Sequence, residues 1–427
     1  ADPSVKGIYK QYADIVIKKG LSEEIKTVVT GAAATGEADA AMYTSFAAMY
    51  QKLGQYEKAV GLYQKASEMD AHNARLLFEL AHCHEKLGHT DDAILCYTQA
   101  LALRPAAVDD YKTLGNLYLK KNKKADAVAA FKKYLDAGKS DIGVAKEVAE
   151  WAFSQKNDAE AARYFATITG EEAKKADFLL HYGQTCFTTG NFKKAFDLLN
   201  RASVLLPKNP EVFKLLYSIA VQDSAEKNAA VGYLAKYLEL TPSDAPLQRT
   251  LGDMLYERKD ADGALRAYRK AVSLNPSAKG IYKRYYELAS KKGMAQDVET
   301  ALNGAVATEE ADAVMYAQLG SFFEKKGQYD KAMAYFLKAQ QMDPNNTPLA
   351  SAIGRCQIKT GKIEDAIVSF QQVVALNPNV SEEYKILGGL HRRTKPDVAV
   401  EEYKKYLAKK PGDVDIAIFV AENAFKN

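Results

Sequence analysis

Apolar positions along this chain recur at two superposed spacings, four residues within a segment and 34 residues between segments. The small residues Ala59, Ala93, Ala127, Ala161, Ala195, Ala230, Ala264, Ala332, Ala366 and Ala399 lie on a 34-residue register, shifted by one before Ala230 and before Ala399, with Ile25 and Val298 in the remaining slots. Four residues after each alanine stands a large apolar residue: Tyr63, Tyr97, Phe131, Phe165, Leu199, Leu234, Tyr268, Phe336, Phe370 or Tyr403. A spacing of four puts both on one face of a helix. Upstream in the unit a second apolar pattern carries a large–Gly pair, as in Leu114-Gly115, Tyr182-Gly183, Leu251-Gly252, Leu319-Gly320, Ile353-Gly354 and Leu387-Gly388, where a missing side chain lets two helices approach closely.

Polar turns separate the two patterns. In Lys52-Leu53-Gly54-Gln55, Lys86-Leu87-Gly88-His89 and Lys325-Lys326-Gly327-Gln328 the glycine stops a helix in the left-handed conformation while lysine sits over its negative end. Pro105, Pro207, Pro242, Pro276, Pro344, Pro378 and Pro411 close the units, because proline cannot continue a helix. The pattern predicts helix, tight turn, helix, proline, repeated twelve times, with one further helix from about Val414 to Phe425.

A larger period contains the smaller. Lys6 to Gly20 returns as Lys279 to Gly293, an offset of 273, and the match runs on, with one residue fewer in the second copy, to Phe153 and its counterpart Phe425. Residues 6–153 and 279–425 are therefore an internal duplication, with repeats 154–278 between them in a single array over 1–427. Self-similarity at fixed period implies units that each contact only their neighbours, and function carried by an extended surface.

The 34-residue unit resembles the tetratricopeptide repeat over essentially the whole chain. Its most faithful copies begin near Ala74, Ala245 and Ala313; the last carries Tyr316, Leu319, Gly320, Phe323, Gly327, Tyr329, Ala332, Phe336, Ala339 and Pro344. Weaker units begin near Lys6, Ile142, Pro210 and Lys279, and in the last two Tyr217 and Tyr286 occupy the small-residue slot, which predicts local distortion of the stack. The resemblance implies an all-α, right-handed α-α superhelix whose concave wall is lined by the first helix of each repeat. It also implies that residues five and nine of each first helix face the groove. Those positions supply the candidate partner-binding residues Lys10, Thr44, Phe78, His82, Lys112, Asn116, Lys146, Gln184, Lys214, Ser218, Arg249, Lys283, Ser321, Arg355 and Lys385. Seven of the first positions are cationic, but Lys10, Lys146, Arg249 and Lys283 have Asp14, Glu150, Asp253 and Glu287 four residues on, which predicts self-neutralising pairs and leaves Lys112, Lys214 and Lys385 without one. In chaperone-binding members a carboxylate clamp starts with Lys and Asn at the positions of Lys112 and Asn116. At the following clamp positions this sequence supplies Glu147, Asp177 and His181 instead.

Composition narrows the function classes. The chain is 47% hydrophobic and 26% charged, the balance of a folded protein, and a net charge of +4 over 427 residues makes no field that would draw nucleic acid. No apolar run reaches the roughly 18 residues of a membrane span. These features are those of a soluble protein of the cytoplasm or the bacterial periplasm, in which Ala1-Asp2-Pro3 reads either as a processed N-terminus or as an expression scar. Cys83, Cys96, Cys186 and Cys356 sit in predicted helices without metal or disulfide spacing and are expected as buried free thiols. His82, Cys83, His84 and His89 suggest a metal site, but successive helical residues diverge, so no metal is expected there. No nucleophile elbow, phosphate loop or paired-carboxylate motif is present, and neither catalysis nor a cofactor is expected.

The expected function is a scaffold whose groove takes an extended or helical segment of a partner protein. A second expectation is that the array is the recognition arm of a larger enzyme or cell-envelope secretion protein. Ile416, Ile418, Phe419 and Phe425 make the last helix a poor solubilising cap, which leads to a third: self-association through this exposed half-repeat.

Overall fold

The computed structural model describes residues 7–223 and 226–424, and the predicted positions Ala1–Pro3, Lys6 and Phe425 lie outside them. Among the described residues every regular element is helical, with 25 α-helices and short 3-10 turns at Ser22–Glu24 and Glu172–Lys174. The chain divides after Glu226 into two compact units. The first holds α1 (Ile8–Lys19), α2 (Ile25–Ala34), α3 (Ala40–Lys52), α4 (Tyr56–Met69), α5 (Ala74–Leu87), α6 (Thr90–Leu103), α7 (Val108–Lys120), α8 (Lys124–Asp136), α9 (Ile142–Ser154), α10 (Asp158–Phe165), α11 (Ala176–Thr188), α12 (Phe192–Leu205) and α13 (Pro210–Gln222). The second holds α14 (Lys227–Leu240), α15 (Ala245–Glu257), α16 (Ala261–Leu274), α17 (Tyr282–Lys291), α18 (Ala295–Ala307), α19 (Ala313–Lys325), α20 (Tyr329–Met342), α21 (Thr347–Lys359), α22 (Ile363–Leu376), α23 (Glu382–His391), α24 (Pro396–Leu407) and α25 (Val414–Ala424). Within each unit odd-numbered helices pack on the even-numbered helix that follows, as the 34-residue pattern predicts.

The turns follow the same register. Gly54, Gly88, Gly190, Gly327 and Gly361 have φ between 71° and 79°, and where the repeat lacks glycine the same place is held left-handed by Asn122, Lys156 or Lys259. First helices start at a side-chain cap: Asp39, Asn73, Asp141, Asp244, Asp312 and Asn346 each accept a hydrogen bond from the backbone N–H three residues on.

In six of the helix pairs the core is a large side chain seated in a notch. The ten register alanines are all fully buried, and of the large residues four positions on none exceeds 4% exposure. The rings or branched ends of Phe131, Leu199, Tyr268, Phe336, Phe370 and Tyr403 lie over glycines of the preceding helix. A Cβ on Gly115 would stand 2.3 Å from Phe131, on Gly252 2.6 Å from Tyr268, on Gly320 2.6 Å from Phe336 and on Gly354 2.7 Å from Phe370. Real side chains do not approach so closely, so glycine sets the distance between the two helices.

In the repeat that opens each copy of the duplication the notch is inverted. Tyr9 of α1 fills a gap at Gly31 of α2, and 273 residues later Tyr282 of α17 fills the gap at Gly304 of α18, where a Cβ would meet the ring at 2.0 Å. Tyr282 and Tyr285 are buried and Tyr286 is half-buried. Arg269 of α16 donates from Nε and Nη2 to Asp297 of α18 at 2.9 and 2.8 Å, and Tyr285 also donates to this carboxylate. In α25, Ile416 and Phe419 are buried, the latter edge-on to Tyr403 at 5.4 Å. Of the residues that make this helix read as a poor cap, Ile418 is the one that stays exposed among those described.

Gly115→Ala should lower stability by about 1–3 kcal/mol through overpacking against Phe131. Gly61→Ala on α4, where a Cβ meets nothing within 4 Å, should raise it by about 0.4–1 kcal/mol. Urea midpoints of the two variants check this, and shifts of the same sign would contradict it. The Arg269 guanidinium beside Asp297 holds its carboxyl below the usual carboxylate range. The stability this contributes is present above the ordinary aspartate value of about 3.9 and is lost as pH falls through the depressed native value. Asp297→Asn should therefore flatten the acid limb of a urea-midpoint profile below about pH 4.

Candidate functional site

The face formed by the first helices is organised by aspartates that each serve two helices. One carboxylate oxygen of Asp39, Asp141, Asp312 and Asp413 caps its own helix, accepting from Met42, Val144, Met315 and Ile416 N–H at 2.8, 3.0, 3.0 and 3.4 Å. The other oxygen takes a lysine of the preceding first helix: Lys10–Asp39 at 3.1 Å, Lys112–Asp141 at 2.5 Å, Lys283–Asp312 at 3.2 Å and Lys385–Asp413 at 2.7 Å. The positive end of a helix and an ammonium group thus converge on one carboxylate. The Lys112 ammonium holds Asp141 low and Lys385 does the same to Asp413, while for Asp39 the Met42 N–H is the larger cause. Lys112 and Lys385 are shifted upward in turn, chiefly by their aspartate hydrogen bonds. Both ammonium groups also lie near a tyrosine ring, Lys112 at 5.9 Å from Tyr134 and Lys385 at 5.3 Å from Tyr406.

This pairing corrects the self-neutralisation expected within single helices. Lys10 and Lys283 pair with the next repeat, not with Asp14 or Glu287, and Lys146 pairs with Glu172, not with Glu150. Arg249 does approach Asp253, at 3.5 Å, and also donates to the Lys279 carbonyl at 2.8 Å. Lys112 and Lys385, which look unpartnered in sequence, are both paired, and Lys214 is an exposed cation with no ion pair among the described residues. A residue four positions away on a helix competes poorly with a carboxylate fixed at the next helix's start, because the cap has already ordered that acceptor. The visible signal is a lysine followed 28 or 29 residues later by a capping aspartate, in both copies of the duplication.

The other predicted positions lie on first helices of the two units. Thr44 and His82 line one cleft of about 490 Å³ with Gln51, Tyr56, Arg75 and Glu79. Its polar wall is fixed by Tyr63 Oη donating to Gln51 Oε1 at 2.6 Å and by Gln51 Nε2 donating to Glu79 at 2.9 Å. Phe78 packs on Tyr97 with ring centres 6.3 Å apart, and Asn116 is exposed. Gln184 and Ser321 are half-buried, and Ser218 bonds back to the Lys214 carbonyl. Arg355 reaches Glu324 at 3.1 Å and Ser351 at 3.3 Å. Residues at the clamp positions after Lys112 are engaged inside the protein: Glu147 pairs with Lys124, and His181 accompanies Glu150 at 2.8 Å while stacking on Phe153 at 4.6 Å. The Glu150 hydrogen bond raises the His181 imidazole.

The four cysteines are buried and free, and burial pushes the thiols of Cys83, Cys96 and Cys356 up to about 11. Around Cys83 the side chains diverge: His82 lies 3.9 Å from Glu85, while His84 turns inward with its Nδ1 3.4 Å from His89 Nδ1 and 4.0 Å from an Asp92 oxygen. Asp92, in the first turn of α6, is the member of this group that inspection of the His-Cys-His run leaves out.

Sequence models of the tetratricopeptide repeat match residues 38–106, 84–142, 152–210, 221–279 and 325–388. Tetratricopeptide repeat protein 1 of Schizosaccharomyces pombe is 23% identical over 254 residues, which are 56% of this chain and 24% of that protein. Superkiller complex protein 3 of Mus musculus is 24% identical over 247 residues, 56% of this chain and 16% of its own length. The chain thus spans about a quarter or less of these relatives. DnaJ protein P58IPK homolog B of Oryza sativa is 23% identical over 371 residues, 84% of this chain and 69% of the relative. Among solved structures, YrrB, described as a TPR protein with an unusual peptide-binding site, aligns over 45% of this chain and 98% of its own at 21% identity and a TM-score of 0.34. Yeast Tom70 aligns over 98% and 96% at 16% identity and a TM-score of 0.29. Repeat matches in five stretches, and helix pairs closed by the same small and large residues throughout, show that the chain belongs to the tetratricopeptide repeat family.

Proposed function

We propose that this chain is a protein-interaction scaffold that holds an extended segment of a partner along its first-helix face, with the Thr44–His82 cleft as an anchoring point in the first unit. The cleft is the observation that carries this reading. It brings together an exposed Arg75, the carboxylate of Glu79, the amide of Gln51 and the ring of Tyr56, a set that offers donors and acceptors to a main chain and its side chains. The wall is pre-ordered by the Tyr63–Gln51–Glu79 chain of hydrogen bonds, so little side-chain entropy remains to be lost on binding. No described helix is long and apolar enough to cross a membrane.

The charge pairing also bears on the class of partner. Lys10, Lys112, Lys146, Lys283 and Lys385 each face a carboxylate of the protein itself, so an acidic peptide would have to displace those carboxylates to reach the ammonium groups. Each exposed pair contributes little, but the aspartates facing Lys10, Lys112, Lys283 and Lys385 also cap a helix. The groove lysines therefore act mainly within the stack, and recognition falls to uncharged and mixed polar segments.

A photo-crosslinking residue placed at Thr44 should capture a partner from the native source, whereas the same residue at exposed Leu95 of α6 should not. Arg75→Glu should weaken binding of that partner about tenfold or more, equivalent to about 1.4 kcal/mol. Lys112→Ala should leave affinity within about twofold and lower stability by about 0.5–1 kcal/mol. A partner that crosslinks equally at both positions, or whose affinity follows Lys112 and ignores Arg75, would contradict this reading.

A further inference from the structure

The turn between α5 and α6 gathers three metal-ligating side chains from three places in one helix–turn–helix. His84 lies in the last turn of α5, His89 is the residue that precedes α6 after the left-handed Gly88, and Asp92 is in the first turn of α6. One ligand atom from each falls within 4.8 Å of the others. We propose that His84, His89 and Asp92 form a binding site for a single zinc-type divalent cation that clips the end of α5 to the start of α6.

Three features carry this inference. First, the two Nδ1 atoms stand 3.4 Å apart. Two nitrogens bound to one tetrahedral zinc ion at about 2.0–2.1 Å are separated by about 3.3–3.4 Å, so both imidazoles already hold ligand spacing. Second, His84 is 6% exposed, and its Nδ1 faces only His89 and, at 4.0 Å, Asp92. Third, the Asp92 side chain is 62% exposed and free to rotate the remaining distance to a bound ion. Its carboxylate would offset part of the cation's charge and leave one position for water in a four-coordinate arrangement.

The surrounding residues do not compete for the site. His82 is directed to Glu85, Glu85 accepts from Tyr97 Oη, and Asp91 pairs with Lys121 just after α7. The counterparts 273 residues on are Gln357, Lys362 and Asp365, which cannot make the same ligand set, so the clip belongs to one copy of the duplication. A bound ion would join two helix ends that the turn alone connects and would stiffen the repeat next to the Thr44–His82 cleft, although the inference does not depend on that cleft binding a partner.

Untagged full-length protein, freed of metal by chelation, should bind one equivalent of Zn²⁺ in a calorimetric titration. It should also give the visible absorption of a four-coordinate ion with Co²⁺, and its melting temperature should rise with Zn²⁺ concentration. His89→Ala and Asp92→Asn alter exposed positions, and their far-ultraviolet circular dichroism should match the parent. His89→Ala should lose the one-equivalent transition, Asp92→Asn should weaken it about tenfold or more, and His82→Ala should retain it. No Zn²⁺ binding by the parent protein, or binding that survives His89→Ala, overturns the proposal.

Discussion

In five repeats a ring pressed against a glycine holds the two helices together. Phe131, Tyr268, Phe336, Phe370 and Tyr403 each sit where a Cβ of the facing glycine would lie less than 3 Å away, so the helices of a pair are as close as backbone and ring permit. A fully buried aromatic side chain contributes about 1.5–3 kcal/mol from burial alone. Its directional effect is equally large: one ring in one notch fixes both the separation of two helices and their axial register. Repeated at 34-residue intervals, that contact also decides where the next first helix begins.

The dual-purpose aspartates depend on this register. A lysine can reach the capping carboxylate of the next repeat only if consecutive first helices keep a constant offset, as Lys10–Asp39 and Lys283–Asp312 do in the two copies. The charge pattern of the groove is thus a product of the stacking. A surface that looks basic residue by residue is largely neutralised by neighbours brought there by hydrophobic packing. Hydrogen-bonding groups are gathered where Arg75, Glu79 and Gln51 meet.

The fold was legible in the sequence because its determinants are periodic and local. Each register alanine is fully buried, and the left-handed turns fall where glycine or its substitutes recur. The candidate site was less legible. Lysine partners were sought four residues away, whereas the acceptors lie in the next repeat, a distance that intrahelical spacing cannot express. The inverted notch of Tyr9 and Gly31, and of Tyr282 and Gly304, was hidden because it conserves the contact while exchanging which helix supplies the ring. Asp92 carries no mark in the run of histidine and cysteine, because it lies in α6, beyond the left-handed turn at Gly88.

A double-mutant cycle on Gly320 and Phe336 tests most directly whether ring and notch act as one device. Gly320→Ala alone forces a Cβ to within 2.6 Å of the Phe336 ring, and Phe336→Ala alone leaves a cavity. If the two form a single contact, the double variant should be less destabilised than the sum of the single variants by about 1 kcal/mol or more in urea denaturation. Additivity within about 0.3–0.5 kcal/mol would show that the glycine and the ring stabilise the repeat independently, and would contradict the account.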